Sequence, residues 1–144
     1  MPPVEGRADS PLADALEVVG DRWAILIVDA LLVGSLRFGD LQATVAGIAP
    51  NVLTQRLRTL VDARLVVAEP YSTRPPRMVY ALTSAGRELA APLRALTAWA
   101  ELRSGTDAGR RHRVCDTALE IRWYCPGCET TVDDDDLADE FIDV

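Results

Sequence analysis

The chain has 144 residues, 49% of them hydrophobic, with 22 acidic and 15 basic side chains and a net charge of −7. This length and apolar share exclude general disorder and allow one cored domain with an appendage, but not two full domains. No apolar run approaches the ~20 residues of a membrane span, and the acidic N-terminus lacks the basic start of a secretory signal, so a cytoplasmic protein with reduced cysteines and no membrane partner is expected.

Residues 1–9 read as a flexible tail. Ser10-Pro11 is an N-cap followed by proline at the first helical position, and Leu12, Ala15, Leu16 and Val19 make a short apolar face that stops at Gly20. Asp21 caps a second helix in which Trp23, Ile25, Leu26, Ile27, Ala30 and Leu31 are apolar nearly all round, the pattern of a helix buried mid-domain. Gly34 ends it. Leu36 to Phe38 reads as a short strand and Phe38 to Val45 as a third, short helix. After a turn at Ala46 to Ala49, Pro50 opens a helix with Leu53, Leu57, Leu60 and Val61 on one face and Asn51, Gln55, Arg58 and Asp62 opposite, at ~100° per residue. Leu65 to Glu69 and Met78 to Leu82 are β-like, and the segment between them, PYSTRPPR, reads as a hairpin loop. Thr83 and Ser84 cap a last long helix to about Leu102, striped by Leu89, Leu93, Leu96, Trp99 and Ala100 and bent by Pro92. Residues 105–109 read as a linker.

Helix, helix, strand, helix, helix, hairpin, helix is the order of a winged helix–turn–helix. The expected fold class is therefore mostly α with a small β-hairpin wing, residues 10–104 forming a DNA-binding and dimerisation domain. A short helix, a turn and a helix with a polar outer face make the DNA-reading unit, and the hairpin after it is the wing. The inner Leu row anchors the helix against Trp23 and Ile27, leaving the outer row free to enter a major groove about 12 Å wide. Charge supports the reading. From Cys128 onward the chain carries eight acids and no base, and the rest sums to about +1. Between Ser35 and Tyr80, six Arg (37, 56, 58, 64, 74 and 77) face three acids, a local anion-binding excess.

GDRW, LRFGDLQ, GIAPNVLTQRL, PPR and YALTSAGREL fall in an order and spacing that resembles the HxlR-type branch of the MarR-like transcriptional regulators, from about Pro11 to Trp99. The resemblance implies a homodimer that binds pseudo-palindromic operators and answers to a small-molecule or stress signal. Three positions depart from the family pattern. Ser10 stands where many members carry a sensing Cys, so thiol sensing is unavailable there. Arg64 replaces the usual Gly after the recognition helix, where a left-handed residue other than Gly costs ~1 kcal/mol. Val79 replaces a frequent Glu in the second wing strand.

The expected DNA-binding residues follow. Pro50 presets the first helical turn and leaves the next amides free to face a phosphate. Asn51, Thr54, Gln55 and Arg58 face outward or flank that face; Asn and Gln suit adenine, and Arg suits guanine. Arg56 sits on the flank, suited to an ion pair or a phosphate. Arg74 and Arg77 bracket two prolines in the wing and suit phosphates or a narrow minor groove.

Residues 105–144 hold the linker, a zinc-ribbon-like segment and an acidic tail. His112 and Cys115 are two residues apart, as are Cys125 and Cys128, and nine residues separate the pairs. Two ligand-bearing turns joined by a β-like stretch, ALEIRWY, suit a structural zinc held by His112, Cys115, Cys125 and Cys128. The pattern uses every Cys and the only His. Other readings stay open: Cys125 and Cys128 as a redox dithiol, His112 as a bystander with an acid or water as fourth ligand, and Cys115 as merely buried. A catalytic zinc lacks a general base.

The leading function is a DNA-binding transcriptional regulator, more often a repressor. The alternatives are a small thiol oxidoreductase working through Cys125 and Cys128, and a protein-interaction module without DNA binding. With no catalytic triad, phosphate loop or paired carboxylate cleft in the sequence, an enzyme is not expected.

Overall fold

Helix starts in the structure follow the caps. The computed structural model describes residues 10–105 and 110–136; the expected tail 1–9, linker residues 106–109 and the acidic end from residue 137 lie outside the described residues. Ser10 Oγ accepts from the Ala13 amide at 3.1 Å at the head of α1 (Pro11–Val19). Asp21 accepts from the amides of Trp23 and Ala24 at 2.9 and 3.2 Å at the head of α2 (Arg22–Leu31). Each such cap satisfies amides that would otherwise lack a partner, worth about 1 kcal/mol. Then come β1 (Leu36–Arg37), α3 (Phe38–Thr44), α4 (Pro50–Asp62), β2 (Val66–Thr73), β3 (Pro76–Leu82), α5 (Ser84–Glu88) and α6 (Ala90–Ser104). The fold is mostly helical with a small antiparallel sheet in the order β1-β3-β2. Among the described residues no helix is long and apolar enough to cross a membrane.

The core is built where the apolar periodicity put it. Ile27 and Val28 of α2, Leu41 of α3 and Leu53 and Leu60 of α4 are fully buried, with Trp23, Phe38, Leu89 and Leu93 packed around them. At roughly 1.5–3 kcal/mol per large side chain removed from water, these contacts dominate the domain's stability.

Two elements differ from the sequence reading. The hairpin loop expected over PYSTRPPR is mostly strand: Thr73 pairs with Pro76 and Ser72 with Arg77, leaving only Arg74 and Pro75 as the turn. Proline reads as a loop signal, yet Pro70 lies on the edge strand β2, Pro75 in the turn and Pro76 at the first position of β3, all places where a missing N–H is tolerated. The register also shifts between Pro70 and Ser72, so Tyr71 bulges out of the ladder beside the proline. The final helix is two helices, broken at Leu89. Pro92 cannot donate to the Glu88 carbonyl four residues back, and its ring crowds that carbonyl, so α5 stops at Glu88.

α4 ends in a Schellman motif. The Leu65 amide donates to the Leu60 carbonyl at 3.0 Å and the Arg64 amide to Val61 at 2.9 Å, with Arg64 left-handed at φ 59. The chain's Arg is thus forced into a conformation that favours Gly. Thr83 then latches this corner to α5. Its Oγ1 donates to the Arg64 carbonyl at 2.7 Å and accepts from the Gly86 amide at 3.1 Å. α5 approaches so closely that a Cβ on Gly86 would collide with the Leu65 carbonyl and press on Leu82.

Contacts group the chain into two compact units, Met1–Arg94 and Ala95–Val144. All of α6 from Ala95 onward thus groups with the terminal segment. In the second unit, Arg111 bridges to Ala118, and β4 (Trp123–Cys125) pairs with β5 (Thr130–Val132). Only the end of the β-like stretch ALEIRWY is strand, and among the described residues no ladder joins the two small hairpins. Among described residues from 110 to 136, none is buried.

Two substitutions at this corner should move stability in opposite directions. Arg64→Gly should stabilise the fold by about 1 kcal/mol by relieving the left-handed backbone. Gly86→Ala should destabilise it by about 1–3 kcal/mol. Urea titration reads both as shifts of the midpoint.

Candidate nucleic-acid interface

The face of α4 away from the core is polar because its register leaves it so. Leu53, Leu57 and Leu60 are buried, while Asn51, Gln55 and Arg58 are exposed. Thr54 is half-buried and its Oγ1 donates to the Pro50 carbonyl at 2.9 Å, so it sits at the margin of that face with its hydroxyl proton engaged. The helix opens on Ala49 and Pro50 with no side-chain cap, so no cap residue competes for its first amides.

Arg56 is turned to the scaffold. Its Nε and one terminal nitrogen meet the two carboxylate oxygens of Asp21 at 2.9 and 3.2 Å, a two-pronged pair between α4 and the head of α2. Desolvation pushes the Asp21 carboxyl up. The hydrogen bonds from Arg56 and from the Ala24 and Trp23 amides outweigh that and hold it below its ordinary 3.8. Of the two roles open to Arg56, the ion pair is the one formed.

The wing projects Arg74 at its turn, and both Arg74 and Arg77 are exposed. Arg37 joins them: it lies on β1 opposite Val79 of β3, and its guanidinium stacks 4.6 Å from the centre of the Tyr71 ring. The bulge at Tyr71 supplies the platform that holds this cation. The sequence counted Arg37 among the basic residues but did not single it out, since only the β1–β3 pairing brings it to the wing. Arg37, Phe38, Asp40, Tyr71, Arg77 and Tyr80 line a cleft of about 510 Å³ at the wing's base. Burial pushes the Tyr80 phenol up, so it stays neutral there.

The four proposed metal ligands form two pairs. His112 Nδ1 lies 3.2 Å from Cys115 Sγ, which also lies 3.2 Å from the Thr117 hydroxyl. Thr117 first and His112 second bring the Cys115 thiol down to about 7. The Cys125 thiol is also lowered, by the amides of Cys128 and Gly127 and then by the Cys128 thiol. Cys115 is exposed rather than buried. Among the described residues, no three His, Cys, Asp or Glu side chains gather closely enough to share an ion.

A buried Leu row, an exposed polar row and an adjoining basic hairpin define a transcriptional regulator with a helix–turn–helix domain. The HxlR-like helix-turn-helix family model matches residues 18–107, and the chain belongs to that family. An uncharacterised HTH-type transcriptional regulator of Mycobacterium tuberculosis is 38% identical over 118 residues, covering 79% of this chain and 74% of its own. A solved structure of a candidate transcription factor from Pseudomonas aeruginosa is 32% identical and covers 90% of both chains at a TM-score of 0.67. The reduced form of the Bacillus subtilis regulator YodB is 30% identical at a TM-score of 0.56, covering 64% of this chain and 91% of its own. The family is one of transcriptional regulators, not enzymes.

The Asp21 pair gives a pH signature. A carboxyl whose folded value lies below its unfolded 3.8 stabilises the fold at higher pH, and loses that contribution as pH falls through the folded value. The stability difference between the parent and Asp21→Asn should therefore be constant from about pH 5 to 8 and shrink below about pH 4. Chemical unfolding across that range measures it; a difference independent of pH would remove the charge from the explanation.

Proposed function

We propose that this protein is a homodimeric repressor that binds a pseudo-palindromic operator in double-stranded DNA and changes occupancy with a small-molecule or stress signal. The observation that carries this is the exposed polar row of α4 on a helix anchored at its middle and at its C-terminal end. Asp21 holds one turn of it through Arg56, and the Schellman corner with Thr83 holds its C-terminus. A helix so held presents its side chains at fixed positions, as base reading requires.

Asn51, Thr54, Gln55 and Arg58 are assigned to base edges in the major groove, where Gln and Asn suit adenine and Arg suits guanine. The amides after Pro50 face a phosphate. Arg74 and Arg77, with Arg37, are assigned to phosphates or a narrow minor groove. The structure leaves apolar surface that supports dimer formation: Leu12 and Leu16 on α1, and Leu96, Trp99 and Leu102 on α6, are all more than half exposed. A two-fold axis would set the two reading helices about one turn of DNA apart, ~34 Å.

Arg58→Ala or Gln55→Ala should weaken operator binding by about 1–3 kcal/mol and relax preference at particular base pairs. Arg74→Ala should weaken all sequences alike and lower the salt slope by about 1. Binding-site selection and salt titration separate the two, and helix and wing variants that behave identically would overturn the division of labour. Sedimentation at micromolar concentration should show a dimer; a monomer would overturn the palindromic operator.

A further inference from the structure

Two turns in the C-terminal unit are built alike, and each carries one pair of metal-type ligands. In the first, His112 and Cys115 lie at positions i and i+3, their Nδ1 and Sγ 3.2 Å apart, and Asp116 follows at φ 57. In the second, Cys125 and Cys128 have the same spacing, and Glu129 follows at φ 54. Residues other than Gly enter the left-handed region rarely and singly. Here both turns do so at the same place, directly after the second ligand. The backbone closes the first turn, the Asp116 amide donating to the His112 carbonyl at 2.8 Å.

Among the described residues, little is buried around these turns. Leu119, Ile121, Trp123 and Tyr124 are all more than half exposed, and no described residue from 110 to 136 is buried. A segment this short without a core needs a covalent or metal staple. Residues 119–122, between the turns, belong to no strand. Nine residues, 116–124, link Cys115 to Cys125, enough for two short arms to fold back on each other.

We propose that one zinc ion is held by His112, Cys115, Cys125 and Cys128, drawing the two separate half-sites onto one tetrahedral centre and ordering the C-terminal unit. Three thiolates and one imidazole are the donor set zinc takes in closed structural sites, whereas Mg²⁺ and Ca²⁺ take oxygen. Each thiol gives up its proton on binding and the imidazole binds neutral, so the site weakens as pH falls. No step of DNA reading enters the proposal.

The test uses the full chain purified without added metal. Elemental analysis should find close to one zinc per chain. The three thiols should resist alkylation until a chelator is added. Cobalt(II) exchanged into the site should give the intense visible bands of a tetrahedral thiolate centre. His112→Ala, Cys115→Ser and Cys128→Ser should each weaken zinc binding by at least about 100-fold, while operator binding by the parent is measured separately. Cobalt spectra of the parent keep the test decisive where a variant folds poorly. Less than about a tenth of an equivalent of zinc, with no uptake from micromolar zinc and all three thiols freely titratable, would overturn the site. So would a bound ion indifferent to His112→Ala and Cys115→Ser, or a Cys125–Cys128 disulfide in the purified protein.

Discussion

Asp21 ties α4 to the head of α2. Its carboxylate caps α2 through the Trp23 and Ala24 amides and grips Arg56 of α4 with both oxygens. Both side chains are about one-third exposed, so the pair contributes only modestly to stability. Its effect is geometric. A two-pronged guanidinium–carboxylate contact fixes rotation as well as distance, and α2 supplies the buried residues on which α4 packs. One acid placed directly before a helix thus adds a fixed point to the core packing that orients the polar row. The same contact removes Arg56 from the cations that face outward.

The far end of α4 is held by backbone geometry instead of charge. The left-handed Arg64, the Thr83 hydroxyl and the missing side chain at Gly86 let α5 close against the Leu65 carbonyl. That corner also launches β2, so the helix and the wing share one anchor. The wing's own order comes from an irregularity: the shift at Pro70 turns Tyr71 out of the ladder, and Arg37 lies on its ring. A stacked guanidinium loses less freedom when it meets a phosphate than one waving from a loop, a preorganisation that favours binding.

The C-terminal unit obeys different physics. Among its described residues most large apolar side chains are exposed, and its strands are three residues long. Such a piece cannot be stabilised by burial, which is why its polar and thiol groups, rather than its hydrophobic pattern, carry its interest.

Much of the first unit was legible in the sequence, because its signals are local. Ser10, Asp21 and Pro50 marked helix starts, and the Leu spacing separated the buried and exposed faces of α4, placing Asn51, Gln55 and Arg58 outside. The family motifs named the class of regulator. What tertiary structure alone decided were partnerships between residues distant along the chain. Arg56 could pair or reach outward, and only the crossing of α2 and α4 placed Asp21 beside it, 35 residues away. PYSTRPPR looked like a loop because proline breaks most ladders, and only the pairing that put Pro70 on a sheet edge and Pro76 at a strand start let it run as strand. Arg37 reached the wing through β1–β3 pairing, a contact between chain segments more than 40 residues apart that no local pattern encodes.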